Sequence, residues 1–175
     1  GENGTGGLVI KDMVSNTEIE NELVLKNNAV VLFQSVCRGA GSSAWDNGDI
    51  GIKEAEARVS DYAEPFLKIG AQIYYANNWQ DGCLNFLENM FDGKPAEESF
   101  NNSVGWFSEV ELEKNYVYEP NKKIVIASHE GTGTATVTHT VNGVETVKKI
   151  PASKEYDIAY VGNPNFRLSQ LNISR

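Results

Sequence analysis

One ten-residue segment, residues 30–39, constrains the fold of this chain more than any other part of it. It reads Val-Val-Leu-Phe-Gln-Ser-Val-Cys-Arg-Gly, an apolar, β-branched run that ends at Cys37 and a glycine. Apolar residues at successive positions predict a strand buried on both faces, as in the parallel sheets of α/β proteins. Ligands bind where such strands end. Cys37 is therefore predicted to be exposed there as a thiol nucleophile, and the alternative is a small buried hydrophobe.

Size and composition limit the classes of protein to consider. The 175 residues predict one domain spanning 1–175. Hydrophobic residues make up 41% and charged residues 22%, which is typical of globular proteins, and no apolar run suggests a membrane segment. A net charge of -9 without a Lys/Arg cluster argues against nucleic acid as a partner. The chain starts at Gly1 without a signal-like segment, so we expect a processed or excised piece of a longer protein.

Hydrophobic spacing predicts alternating strands and helices. A helical stripe covers residues 53–69, with Pro65 expected to kink or divide it. The other predicted elements are a strand at 8–10, a helix over 15–25, a strand over 70–76, helices over 77–93 and from 95 to about 107, and strands over 124–128 and 156–161. This order predicts an α/β fold with a mostly parallel sheet flanked by helices in three layers.

A β-hairpin is predicted near residues 134–150. Two Thr/Val-rich runs flank Asn142-Gly143, a dipeptide typical of a type I′ turn. The hairpin is expected to be an insertion in the α/β fold.

Three segments resemble the caspase-like fold shared by caspases, gingipain-type peptidases and bacterial CHAT peptidase-like domains. The run Ser-Val-Cys-Arg-Gly at 35–39 resembles the caspase strand end Gln-Ala-Cys-Arg-Gly, with Ser35 in place of the glutamine. Residues 63–74, followed by Trp79, resemble the helix, Gly-Ala, strand and tryptophan after the cysteine in CHAT and related secreted bacterial proteins. The turn at 160–164 resembles the Gly-Asp-Pro turn of gingipain-type domains, with Asn163 in place of aspartate. The segments span roughly residues 29–168, apart from region 123–150.

The resemblance implies a bacterial, secreted cysteine peptidase that hydrolyses peptide or protein substrates without a cofactor or metal. Cys37 would attack the scissile carbonyl to form a thioester, and its backbone N–H with a nearby glycine amide would bind the oxyanion. The substrate would be bound by residues around the cysteine and by two tryptophans, namely Ser35, Arg38, Gly39, Trp45 and Trp79.

The resemblance does not identify which residue of this chain would act as the general base for Cys37. In caspases the histidine lies about 50 residues before the cysteine on a neighbouring strand, and the 36 residues before Cys37 contain no histidine. The resemblance implies that this histidine lies upstream of Gly1 or has been lost. A rival hypothesis pairs Cys37 with His129, oriented by Glu130, which is similar to class I glutamine amidotransferases.

Alternatives remain open for the roles of the other polar residues, for the pairing of the two cysteines and for the function of the protein. His139 is predicted to be an exposed hairpin residue, and the acidic loop with Asp46, Asp49 and Glu54 is predicted to be solvated rather than to bind Ca²⁺. Two cysteines are too few for a disulfide framework, and the sequence does not fix whether they pair, the compartment or the oligomeric state. The competing function is a non-catalytic binding or structural module of the same fold.

Overall fold

A computed structural model describes residues 7–9, 13–78, 82–105, 108–131, 134–141, 144–151 and 153–170. The helices are α1 (Asn16–Glu22), α2 (Ile52–Lys68), α3 (Gly82–Phe91) and α4 (Ala96–Ser103), with a 3₁₀ turn at Leu168–Gln170. The strands are β1 (Gly7–Val9), β2 (Met13–Ser15), β3 (Ala29–Gln34), β4 (Ala71–Asn77), β5 (Glu109–Asn115), β6 (Lys123–Glu130), β7 (Thr134–Val141), β8 (Val144–Pro151) and β9 (Lys154–Gly162).

The central sheet has five strands in the order β3-β4-β9-β6-β5. The α/β class is confirmed, but the expectation of a mostly parallel sheet is wrong. Within this sheet only β3 and β4 pair in parallel, whereas β4–β9, β9–β6 and β6–β5 are antiparallel. The central strands are apolar at almost every position because helices cover both faces, and that pattern carries no information about strand direction.

The two edges of the sheet differ from the sequence expectation. β3 was expected to be buried on both faces, but it is an edge strand and all six of its residues are only half-buried. β5 forms the opposite edge and was not predicted. Its sequence, Glu-Val-Glu-Leu-Glu-Lys-Asn, is almost wholly exposed and lacks the apolar content that marks a strand.

Helices pack on both faces of this sheet, so the core has two halves. On one face, α2 lies over β4 and β9 and buries Phe66 beside Tyr74. On the other, α3 and α4 bury Phe86 and Phe100, and the Phe86 ring stacks on Tyr75 with centroids 4.2 Å apart. α2 continues through Pro65, so the expected division of this helix does not occur.

The other predicted elements are largely present with shifted ends. The side chain of Ser15 caps α1 in a capping box with Glu18. α4 ends at Ser103, four residues before the expected end, because Val104 is extended. The hairpin is confirmed as the two-stranded sheet β7–β8, with Val141 opposite Val144, and its turn residues 142–143 lie outside the described residues.

Candidate functional site

The candidate residues lie at one end of the central sheet, where several of its strands end. β3 is parallel to β4, and β9 is antiparallel to both β4 and β6. The strands β3, β4 and β6 therefore run in the same direction and have their carboxyl ends at this end of the sheet. The chain leaves β3 at Gln34, so the turn with Cys37 lies here, and His129 lies near the end of β6.

Cys37 lies in a turn with an unusual backbone. Its side chain is exposed and its thiol is free, which confirms the predicted exposure. Ser35 has φ of 57° and Arg38 has φ of 67°, the left-handed region that side chains other than glycine rarely adopt. Each such residue costs about 1 to 3 kcal/mol and persists only where its surroundings hold it, and this kind of strain concentrates at functional sites.

Contacts with two core strands hold this turn in place. The buried Tyr74 hydroxyl on β4 donates a hydrogen bond to the Gly39 carbonyl at 2.8 Å. The Ser42 N–H donates to the Tyr156 carbonyl on β9 at 2.9 Å, and the Tyr156 N–H donates to Ser42 Oγ at 2.8 Å. The Arg38 N–H then donates to the Ser42 carbonyl at 3.0 Å and closes the loop. The conformation around Cys37 is therefore tied to the core.

A Tyr74→Phe variant tests this tie. Removing the hydroxyl leaves the Gly39 carbonyl without its buried donor, so we expect a loss of about 1 to 2 kcal/mol in the free energy of unfolding. Hydrogen exchange should become faster in residues 37–42 and stay unchanged in β6. Tyr160→Phe is a matched control, since Tyr160 is fully buried on β9 in the other half of the core and its hydroxyl makes no hydrogen bond within the described residues. Equal exchange in the two variants would show that the Tyr74 hydroxyl does not hold the turn.

An ion-pair network organises the acidic loop that follows. The Arg58 guanidinium contacts the Asp46 carboxylate at 2.8 Å and the Glu54 carboxylate at 2.9 Å, and donates to the Gly41 carbonyl at 3.1 Å. Asp46 is only 12% exposed, so the expectation that it is solvated is wrong; it neutralises Arg58 instead. Among the described residues no group of acidic, histidine or cysteine side chains is placed to hold a metal ion.

A carboxylate that the sequence analysis missed contacts His129. The imidazole Nδ1 lies 3.2 Å from Oδ2 of Asp157, whose residue is 1% exposed. Glu130, the expected orienting residue, is instead 78% exposed at its side chain and lies 3.8 Å from Lys154. Asp157 interrupts the apolar run of 156–161, and an acid inside such a run is the signal that could have identified it.

A β-bulge positions this buried carboxylate. Tyr156 pairs with Ser128 and Ile158 pairs with Ala127, so Asp157 is the extra residue of β9. Its carbonyl accepts a hydrogen bond from the Asn78 N–H at 2.9 Å, beyond the end of β4. The bulge therefore interrupts the regular ladder where Asp157 meets His129.

The strands that lead to Cys37 and carry His129 are not neighbours. β4 and β9 lie between β3 and β6, and three strand spacings amount to about 14 Å. The loop after Cys37 crosses part of this distance, because Ser42 already pairs with Tyr156 on β9. Cys37 and His129 thus lie at the same end of the sheet, but Cys37 follows β3 and His129 lies on β6, which are not neighbouring strands.

Cys83 is the second free thiol and differs from Cys37 in its surroundings. It is half-buried at the start of α3, with Sγ 3.6 Å from the Phe33 carbonyl and its N–H 3.2 Å from Gln34 Oε1. Burial raises the pKa of its thiol to about 11, which suppresses the reactive thiolate near neutral pH. Cys83 is a structural thiol, and neither cysteine forms a disulfide.

The remaining predicted substrate residues are distributed as follows. Trp45 lies in the loop after Cys37, and its residue is 51% exposed. Ser35 is tied to β4, because its N–H donates a hydrogen bond to the Asn77 carbonyl at 2.8 Å. The N–H groups of Gly39 and Gly41 are used within the turn, donating to the carbonyls of Val36 and Arg38. Trp79 and the side chain of His139 lie outside the described residues.

Comparisons with known proteins return no relatives. No protein-family model, curated protein or solved structure matches the chain. In the part of the chain that the structure describes, no helix has the length and apolarity to cross a bilayer.

Proposed function

We propose that this chain carries the nucleophile of a caspase-like cysteine peptidase site, with Cys37 as the attacking thiolate. The observation that carries the proposal is the geometry at Cys37, an exposed thiol at the carboxyl end of β3 between two left-handed residues, Ser35 and Arg38. Strain held in place by core contacts at a reactive side chain is a feature of functional sites. The resemblance of residues 35–39 to the caspase cysteine segment supports the same assignment.

The reaction would be acyl transfer to water. Cys37 Sγ attacks the peptide carbonyl carbon, the C–N bond breaks as the amine takes a proton, and the resulting thioester is hydrolysed to a carboxylate. The oxyanion is assigned to the N–H of Cys37, because the Gly39 and Gly41 amides bond within the turn. Arg38, which follows Cys37 in the chain, and the exposed Trp45 of the next loop are the proposed substrate-binding side chains.

His129 is the base that this chain itself offers. Its contact with the buried Asp157 resembles the orientation of a catalytic histidine by a carboxylate. It can serve Cys37 only if the loop at 37–42 carries the thiol past the end of β4, the direction in which Ser42 reaches β9. The base is therefore tested separately from the nucleophile.

Alkylation at controlled pH tests the nucleophile. We expect iodoacetamide to label Cys37 at pH 6 to 7, where an ordinary thiol with a pKa of about 8.5 is mostly protonated. Cys83, whose pKa is about 11, is the internal control and should react only in strongly alkaline buffer. The adducts are located by peptide mass spectrometry, and an inert Cys37 would favour a non-catalytic binding module.

Three variants connect labelling to function. Cys37→Ser should abolish hydrolysis of a fluorogenic peptide library, whereas Cys83→Ser should leave it unchanged. His129→Gln should slow Cys37 labelling at least tenfold at pH 7 if His129 accepts the thiol proton. Unchanged labelling in His129→Gln would remove His129 from the mechanism and leave Cys37 as the nucleophile.

A further inference from the structure

Ser108, just before β5, has a buried hydroxyl that the proposed function does not use. The residue is 9% exposed, and its Oγ is covered and has no hydrogen-bond partner among the described residues. Its N–H bonds to the Gly105 carbonyl at 2.9 Å, so the backbone here forms a turn. A buried hydroxyl without a partner costs about 1 to 3 kcal/mol. Such groups are rare in native proteins, and a catalytic role is one explanation for them.

Strand register places Ser108 beside His129. β5 and β6 are antiparallel, and at the start of β5 Glu109 lies opposite Ser128. Ser108 precedes Glu109, so the same register continued by one position sets it opposite His129. Residues opposite each other in an antiparallel pair direct their side chains to the same face, with Cβ atoms about 4.5 to 5.5 Å apart. The Ser108 hydroxyl and the His129 imidazole are therefore neighbours.

Asp157 contacts the same imidazole from the other neighbouring strand. The strand order is β9-β6-β5, so His129 on β6 has Asp157 on one side and Ser108 on the other. His129 Nδ1 lies 3.2 Å from the Asp157 carboxylate, which directs the far side of the ring, with Nε2, toward β5. A carboxylate at Nδ1 and a hydroxyl on the Nε2 side are the arrangement by which a histidine activates a serine.

The turn that carries Cys37 packs on the other face of the sheet. Val36 and Ala40 of this turn pack in the half of the core beneath α2. Ala127 lies in the half beneath α3 and α4, and alternation along β6 gives the side chain of His129 the same direction. His129 therefore lies on the face of the sheet away from the Cys37 turn, and Ser108 shares that face.

The surroundings of Ser108 fit a small apolar group. Val110 lies two residues further along the chain on the same face and is 45% exposed, so an apolar acyl group can pack against it. Ser108 and the His129 side chain are only 9% and 13% exposed, which admits a small group and excludes a large one. Within the described part of the chain no hydrogen bond holds the Ser108 hydroxyl, so its rotation toward a bound ester breaks none.

We propose that Ser108, His129 and Asp157 form a second hydrolytic site, which cleaves small esters with an apolar acyl group. Ser108 Oγ attacks the ester carbonyl carbon and gives its proton to His129 Nε2. The ester C–O bond breaks as the alcohol leaves with that proton, and water then hydrolyses the acyl-serine to a carboxylic acid and free Ser108. Asp157 positions the imidazole. This site does not depend on the peptidase proposal, in which Cys37 is the nucleophile.

A fluorophosphonate probe tests the serine nucleophile in the whole chain. We expect diisopropyl fluorophosphate to modify Ser108, located by peptide mass spectrometry, at a rate that rises between about pH 5 and 8, where imidazoles lose their proton. His129→Gln should slow the modification at least tenfold. Ser128→Ala is the matched control and should leave the rate unchanged, because Ser128 adjoins His129 on β6 but bonds to Glu111 on the opposite face. Circular dichroism checks that both variants fold.

Ester hydrolysis is the second readout. Iodoacetamide first blocks Cys37, which removes its thiol as a competing acyl acceptor, and the protein should then hydrolyse p-nitrophenyl butyrate. Ser108→Ala should lower this rate at least tenfold. Asp157→Asn should also lower it and should remove the downfield Nδ1–H resonance of His129 from the proton NMR spectrum.

Three results would overturn the proposal: an unmodified Ser108, a modification rate that His129→Gln leaves unchanged, or ester hydrolysis that Ser108→Ala leaves unchanged. None of these results concerns the labelling of Cys37 by iodoacetamide, which tests the peptidase proposal. The two proposals can therefore fail separately.

Discussion

A Gly41→Ala variant is expected to lose about 2 to 4 kcal/mol of unfolding free energy and to disorder the turn that presents Cys37. Gly41 has φ of +124°, which alanine adopts only with strain. An added Cβ would also lie 2.8 Å from the Tyr156 Cβ and 3.1 Å from the Ala55 Cβ, and neither atom can move without shifting β9 or α2. Urea denaturation followed by circular dichroism measures the loss.

A Gly48→Ala variant separates the backbone strain from the steric clash of the added Cβ. Gly48 has φ of +95° in the same loop, and among the described residues no atom lies within 4 Å of the position that an alanine Cβ would take. This variant carries only the backbone strain, so its loss should be about 1 kcal/mol. A Gly41 variant no less stable than the Gly48 variant would show that the loop moves away from Tyr156 at little cost.

The second large effect is expected for Phe86→Ala, at about 3 to 5 kcal/mol of unfolding free energy. Phe86 is fully buried, and its ring stacks on Tyr75 between α3 and the sheet. Removing the ring opens a cavity in the half of the core beneath α3 and α4. Thermal and urea denaturation should both show the loss.

Phe91→Ala is the matched control on the same helix. Phe91 is 76% exposed, so we expect a change within about 0.5 kcal/mol. A small loss in Phe86→Ala would mean that neighbouring side chains refill the space. Equal losses in the two variants would contradict the assignment of Phe86 to the core.

The sequence identified features that depend on local pattern. The run before Cys37 predicted β3, the spacing of apolar residues predicted α2, and Asn142-Gly143 predicted the β7–β8 hairpin. Each signal arises within a few residues of the element that it specifies. The exposure of Cys37 follows from the same reasoning, because the strand ends just before it.

Features that depend on distant parts of the chain were not predicted. β9 inserts antiparallel between β4 and β6, and nothing within residues 154–162 specifies that position. β5 is held by pairing with β6 rather than by its own side chains, which are mostly exposed. The partnership of Asp157 with His129 depends on a bulge formed between strands, so adjacency in sequence wrongly favoured Glu130.

The buried Tyr74 hydroxyl also determines what a pH titration of Cys37 would report. Burial raises the pKa of Tyr74 well above its usual value of 10, so the hydroxyl keeps its proton and its bond to Gly39 throughout the range in which thiols ionise. The folded state therefore holds this proton more tightly than the unfolded state, so the contribution of Tyr74 to stability is fully present below about pH 10 and is lost as the pH rises from there through the folded-state pKa. A change in Cys37 reactivity between pH 6 and 9 can therefore be assigned to proton transfer at the thiol or its base, and not to release of the turn from Tyr74.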